Sequence, residues 1–294
     1  MKNLKSAFIL LLFITTLITI PGFGQRIAEP KSPETWKRSY EPFRIAGNLY
    51  YVGTYDLAAY LITTEKGNIL INTGLASSAL QIRKSIEQLG FRYSDLKILL
   101  TTQAHYDHVA AMATIRKQTG AKVYVDEGDA DVLLSGGSTD YEMGKYGMTF
   151  APVRADKILH HKDTVSLGTT KLVMLHHPGH TKGSCSFLID VKDSAKSYRV
   201  LIANLPSIIT EKKFDDIPAY PRITKDYAFT FSEMKAVQFD LWVASHASQF
   251  DMHEKHKPGD AYNPSVFADR KLYDDNIKEL EDAFKNKTKN TYRF

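Results

Sequence analysis

Leu96-Lys-Ile-Leu-Leu-Thr101 reads as a buried strand, and it runs straight into Thr102-Gln103-Ala104-His105-Tyr106-Asp107-His108, after which a helical pattern begins. A strand-to-helix loop that presents two histidines and an aspartate within four positions can aim all three at one point. His and Asp suit zinc-class metals, and close donors on one short loop cost little ordering entropy. Two more histidine loops follow strand patterns. Lys171 to Leu175 leads to His176-His177-Pro178-Gly179-His180-Thr181-Lys182-Gly183-Ser184, and Leu241 to Ala244 leads to Ser245-His246-Ala247-Ser248-Gln249. Sites gather where strands end, so the fold must bring three strand ends to one edge around a metal. His160, His161, His176, His177, His253 and His256 are read as surface or hydrogen-bonded residues, the ordinary state of a lone histidine.

Around these loops the chain alternates strand and helix. Asn48 to Val52, Ala59 to Ile62, Asn68 to Asn72, Lys122 to Val125, Cys185 to Asp190 and Arg199 to Ala203 are short runs rich in β-branched and aromatic residues. Helical spacing is predicted over Ala76 to Leu89, Val109 to Gln118, Asp226 to Val237 and Val266 to Lys285, with Gly90 and Gly120 as stops. The Gly-rich segment Leu134 to Met148 reads as a long mobile loop. The pattern implies an α/β or α+β chain of one domain, with two sheets packed together and helices outside.

The N-terminus sets the compartment. Lys2 and Lys5 precede an apolar run from Ala7 to Ile20, Pro21 breaks it, and Gly22-Phe23-Gly24-Gln25 supplies small residues for cleavage. Residues 1–25 are therefore expected to be a signal peptide, with the mature domain spanning 26–294 in the periplasm and no cysteine near the cut for a lipid anchor. Loss of Lys2 and Lys5 takes the formal charge from +5 to about +3, with no basic stripe, which argues against nucleic acid as a partner. Cys185 is the only cysteine. It sits in a core-like strand and is read as a buried thiol, so stability rests on packing and metal rather than on a disulfide. With no apolar pairing stripe, a monomer is the default.

Gln-Ala-His-Tyr-Asp-His and Pro-Gly-His-Thr-Lys-Gly-Ser resemble the metal motifs of the metallo-β-lactamase superfamily, whose first motif is His-x-His-x-Asp-His. The similarity runs from about Glu41 to the C-terminal helix. It is strongest to the class B, subclass B3 enzymes, and among them to the GOB-type group with glutamine at the first motif position. The resemblance implies an αββα sandwich of the metallo-β-lactamase fold with a two-metal groove at one edge. It assigns Gln103, His105 and His180 to a first zinc, and Asp107, His108 and His246 to a second. It also makes Asp107 an orienting and proton-relaying catalytic group and places Ser207 against the substrate carboxylate.

Zinc with an open position lowers the pKa of water toward ~7, and the hydroxide is expected to attack a β-lactam carbonyl. A neutral amide oxygen is a weaker zinc donor than imidazole, so the site of Asp107, His108 and His246 should load more tightly, and the expectation is that one zinc can support activity. Lactonases and thioesterases of the same fold usually carry a metal-bridging aspartate where this chain has Asn204, and cysteine-ligand enzymes differ at Leu205. A non-catalytic zinc module is the remaining alternative, and the intact set of Asp107, His108 and His246 weighs against it.

Overall fold

The computed structural model describes residues 29–194 and 196–289, so the signal peptide expected over 1–25 lies outside the described residues. Two sheets face each other. The first holds seven strands in the order of the chain: β1 (Phe43–Ala46), β2 (Leu49–Tyr51), β3 (Tyr60–Thr64), β4 (Gly67–Ile71), β5 (Leu96–Leu100), β6 (Lys122–Asp126) and β7 (Lys157–Leu159). It is antiparallel through β4 and parallel from β4 to β7. The second has the order β12-β11-β10-β9-β8, built from β8 (Thr164–Leu167), β9 (Thr170–His176), β10 (Cys185–Lys192), β11 (Ser197–Ala203) and β12 (Leu241–Ala244). Only its β11–β12 pair is parallel.

Alternation along the strands builds the layers. Tyr60, Ile62, Ile69, Ile71, Ile98 and Leu100 point between the sheets, where they meet Phe187, Ile189, Leu172 and Met174. Their neighbours Leu61, Leu70 and Leu99 point outward onto helices α1 (Ser78–Gln88) and α3 (Met112–Thr119) through Ile82, Ile86 and Ile115. The outer face of the second sheet is covered by α5 (Ile223–Ala236) and α7 (Arg270–Lys289), between which the chain forms β12, the short α6 (Met252–Lys255) and two turns of tighter helix. Helix α7 buries Tyr273, Ile277 and Phe284 at helical spacing. Each such buried side chain contributes about 1.5–3 kcal/mol. The result is the αββα sandwich that the resemblance implied.

Several elements depart from the sequence reading. The helix expected from Val109 begins earlier, as α2 (Tyr106–Val109), and breaks at Ala110-Ala111 before α3. Ala110 donates to the Gly74 carbonyl at 3.0 Å, which ties the break to the loop after β4. Asp107 and His108 thus ride on a helical turn rather than in the loop. Strands β1, β7 and β8 were not anticipated. The Gly-rich segment is a loop, but it follows a short helix, α4 (Ala130–Leu134), and is pinned at its base, where Gly137 donates to Val132 and Phe150 to Gly136.

The loops at the ends of β5 and β9 are clamped by Asp129, which is fully buried at the start of α4. Its Oδ2 accepts from Ala104 N–H at 2.7 Å and from the Thr181 hydroxyl at 2.9 Å, and its Oδ1 accepts from Gly183 N–H at 2.9 Å. Gly128 and Gly183 allow this approach, since a Cβ on Gly128 would strike the Lys182 carbonyl and one on Gly183 the Asp129 backbone. Burial and the neighbouring Asp126 carboxylate outweigh the donors and lift the Asp129 carboxyl to about 6. A carboxyl raised above its ordinary 3.8 contributes stability that is full below about pH 4 and lost as pH rises through about 6.

Asp129→Ala leaves the Ala104 and Gly183 N–H groups without an acceptor and the Thr181 hydroxyl with Ser184 alone, and is expected to cost about 3 kcal/mol in urea unfolding of the chelated protein. The gap from wild type should narrow as pH rises from about 4 to about 6. A variant within about 0.5 kcal/mol of wild type across that range would remove Asp129 from its clamping role.

Candidate metal centre

Three strand-end loops converge at one edge of the sandwich. Asp107 and His108 come from α2 and His246 from just past β12. Asp107 Oδ2 stands 3.2 Å from His108 Nε2 and 3.5 Å from His246 Nε2, and one ligand atom from each of the three lies within 4.8 Å of the others. The His246 ring is fixed from behind, because its Nδ1 hydrogen-bonds Asp56 Oδ2 at 3.1 Å. Asp56 also accepts from the Trp36 indole N–H and the Ser248 N–H, each at 3.0 Å. An outer carboxylate on one ring nitrogen commits the other to the site. Sequence reasoning missed Asp56, which lies 190 positions from His246 and in no motif.

Beside this trio lie Gln103, His105 and His180. Gln103 Oε1 is buried with no hydrogen-bond partner, as are both ring nitrogens of His108, while His105 Nε2 is turned to the Asp140 carboxylate, 3.4 Å away. The His105 and His180 rings are 5.0 Å apart. His180 Nδ1 donates to the Ser207 carbonyl at 2.8 Å, which leaves its Nε2 for the groove. Buried polar atoms without partners are rare, and a cluster of them drawn only from oxygen and imidazole donors fits a zinc-class cation. The structure therefore brings together all six residues singled out as ligands.

The electrostatics agree. Burial pushes the Asp107 carboxyl up, but the charges of His108 and His246 beside it prevail and hold it well below the usual carboxylate range. Burial pulls His246 down, yet Asp107 and Asp56 lift it to about 9. Burial and the nearby His105 bring His180 to about 3, so that ring is neutral at physiological pH. Burial lowers His108 too, despite Asp107. His105 is raised, with Asp140 overcoming burial. Without metal the edge is an ion-paired cluster, and a cation entering it displaces protons.

The donors open into a cavity of about 250 Å³. Trp36, Tyr106, Met143, Met148, Leu205 and Ile209 give it an apolar wall, and Ser207 and Asn204 reach its floor. The Ser207 hydroxyl is 3.1 Å from His180 Nδ1, and its carbonyl also accepts from Tyr227 at 2.9 Å. Asn204 is a knot between loops. Its Nδ2 donates to the Thr102 carbonyl at 3.0 Å, and its Oδ1 accepts from Ser245 at 3.2 Å. Asn72, at a left-handed φ of 63°, gathers Thr101 and Thr102 on its Oδ1.

The residues set aside stay outside the cavity. His177 bonds Ser186, His176 bonds Asp126, His253 stacks on Tyr55 and His256 on Phe43. Cys185 is buried, and burial pushes its thiol up. Ser-x-x-Lys spacings at Ser94 and Ser232 offer no acylation site, since Lys97 reaches only the Ser94 carbonyl on the surface and Lys235 pairs with Glu281 at 2.6 Å.

The family model of the metallo-beta-lactamase superfamily matches residues 54–193. The chain is 59% identical to the metallo-beta-lactamase GOB-18 from Elizabethkingia meningoseptica, with a TM-score of 0.89 over 90% of this chain and 99% of that one. It is 63% identical to the class B3 di-zinc metallo-beta-lactamase LRA-12 from an Alaskan soil metagenome, with a TM-score of 0.86 over 88% and 98% of the two chains. A beta-lactamase from Chitinophaga pinensis is 53% identical, with a TM-score of 0.88 over 90% and 99%. No helix among the described residues is long and apolar enough to cross a membrane. At these identities over nearly whole chains, the protein belongs to the metallo-β-lactamases and, within them, to subclass B3 on the GOB-like side.

Proposed function

We propose that this chain is an exported, zinc-dependent hydrolase that opens β-lactam rings, carbapenems included. The observation that carries the reading is Asp107 Oδ2 set between the Nε2 atoms of His108 and His246 at the edge of an apolar-walled cavity. Asp107, His108 and His246 would hold the tighter zinc, and Gln103, His105 and His180 the weaker one. When bound, zinc acts as a Lewis acid and makes water nucleophilic near neutral pH. Asp107 orients the attacking water and takes its proton. As the carbonyl carbon gains oxygen and the C–N bond breaks, that proton passes to the departing nitrogen. Trp36, Tyr106 and Met148 pack the fused ring and exclude bulk water, while the Ser207 hydroxyl donates to the substrate carboxylate.

Asn204 supports a lactam over a lactone or thioester. Its amide N–H donates to Thr102, which a bridging carboxylate could not do. Export through residues 1–25 fits the same reading, because β-lactams act outside the cytoplasmic membrane.

The mature chain is expected to hydrolyse a carbapenem, to lose that activity on chelation and to regain it with zinc, with bound zinc counted in the same sample. A zinc-loaded protein that turns over no β-lactam would move the substrate to another ester or amide class. Gln103→His should tighten the weaker zinc equivalent by roughly tenfold in chelator competition. An unchanged affinity would remove Gln103 from that site. Asp56→Ala, by freeing the His246 ring, should weaken the tighter equivalent by roughly 10- to 100-fold and leave the weaker one in place. Equal loss of both equivalents would show that Asp56 does not act through His246.

A further inference from the structure

The Gly-rich segment between Ser135 and Phe150 flanks the cavity, and two adjacent residues at its turn reach the two histidine loops of the weaker set. Asp140 Oδ2 stands 3.4 Å from His105 Nε2, with both side chains buried. The Tyr141 hydroxyl donates to the His180 carbonyl at 3.1 Å. His105 Nε2 is enclosed and has no hydrogen-bond partner among the described residues, and the Asp140 carboxylate is the charged group it faces. Asp140 also shapes its own segment. Its Oδ1 accepts from the Glu142 N–H at 2.9 Å and the Met143 N–H at 2.6 Å, and this turn carries Met143 to the cavity wall.

We infer that Asp140 is a positioning residue: its carboxylate takes the Nε2–H of His105, leaves Nδ1 bare, and so ties the wall carrying Met143 to metal capture by Gln103, His105 and His180. A neutral imidazole has one N–H, and a carboxylate can only accept, so Asp140 selects the tautomer protonated on Nε2, whose free lone pair is on Nδ1. Outer partners of this kind change metal affinity by roughly 10- to 100-fold. The coupling runs both ways, since a segment that stabilises the metal-competent ring is itself held more firmly once metal is bound. The inference rests on the metal assignment of the proposed function, and it adds a residue and a wall to it.

Asp140→Asn tests it in the mature chain, because asparagine keeps the oxygen that holds the turn but presents an N–H to His105. Three quantities are read. In chelated protein at alkaline pH, ring ¹⁵N spectra should show His105 protonated on Nε2 in wild type and on Nδ1 in the variant. In zinc competition the variant should lose roughly 10- to 100-fold in the weaker equivalent and nothing in the tighter one. Hydrogen exchange over residues 138–148 should slow on uptake of the second equivalent in wild type and not in the variant. Tyr141→Phe loosens the same segment without touching His105 and should keep the wild-type tautomer. The same tautomer in wild type and Asp140→Asn, or an unchanged weaker equivalent, overturns the inference. A wild-type chain that takes up no second equivalent overturns its metal half together with that of the proposed function. The tautomer, measured without metal, separates that failure from failure of the Asp140 contact.

Discussion

The edge of this sandwich depends on one buried carboxylate. Asp129 joins Ala104, which lies between Gln103 and His105, to Thr181 and Gly183, which follow His180. The two loops leave different sheets, since β5 belongs to the first and β9 to the second. Packing between sheets is non-directional and fixes separation, whereas a metal set needs angles and distances fixed to fractions of an ångström. Directional hydrogen bonds in a dry setting supply that, provided every donor is met. Asn204 repeats the device, joining the loops after β5 and β12, and Asn72 repeats it beneath β5. The site is therefore built on a floor of buried polar knots, with hydrophobic layers on either side.

Those knots explain what was legible in the sequence. The six proposed ligands were visible because chemistry puts unusual residue types close together at strand ends. The strands that carry them were visible because Ile98 to Leu100 and Leu241 to Ala244 are apolar enough to be buried on both faces. Asp129 was not, since its partners lie 25 and 54 positions away and an aspartate before Ala130 looks like any helix start. Asp56 and Asp140 are hidden for the same reason. Strands β7 and β8 escaped notice because they are short and half exposed, and the chain between them turns at Lys162, a non-glycine residue with φ of 68° that no turn residue announces. The start of α2 at Tyr106 was missed because an aromatic, an aspartate and a histidine have modest helix propensity, and the helical turn is set by tertiary bonds to Thr73 and Gly74.

On the proposed assignment the two metal sets differ in where their negative charge stands. The tighter set has a carboxylate, Asp107, in direct reach of the cation, and Asp56 behind His246 adds a second charge one ring away. The weaker set offers an amide and two imidazoles, all neutral once a metal has displaced any proton, and its nearest carboxylate is Asp140 behind His105. Coulomb attraction falls with distance and is strongest in a dry site, so a charge in the coordination sphere outweighs one an imidazole away. A histidine in place of Gln103 would improve the donor without changing that charge. The asymmetry between the sets therefore has two sources, the amide at position 103 and the placement of Asp107, and the backing carboxylates decide how well each imidazole is aimed. The weaker set draws instead on the Gly-rich segment, since Asp140 and Tyr141 bring that segment onto its two histidines. A cavity wall that a substrate must meet is thus anchored to the set whose own charge is least able to hold a cation, so metal occupancy there and grip on the substrate are properties of one structural unit.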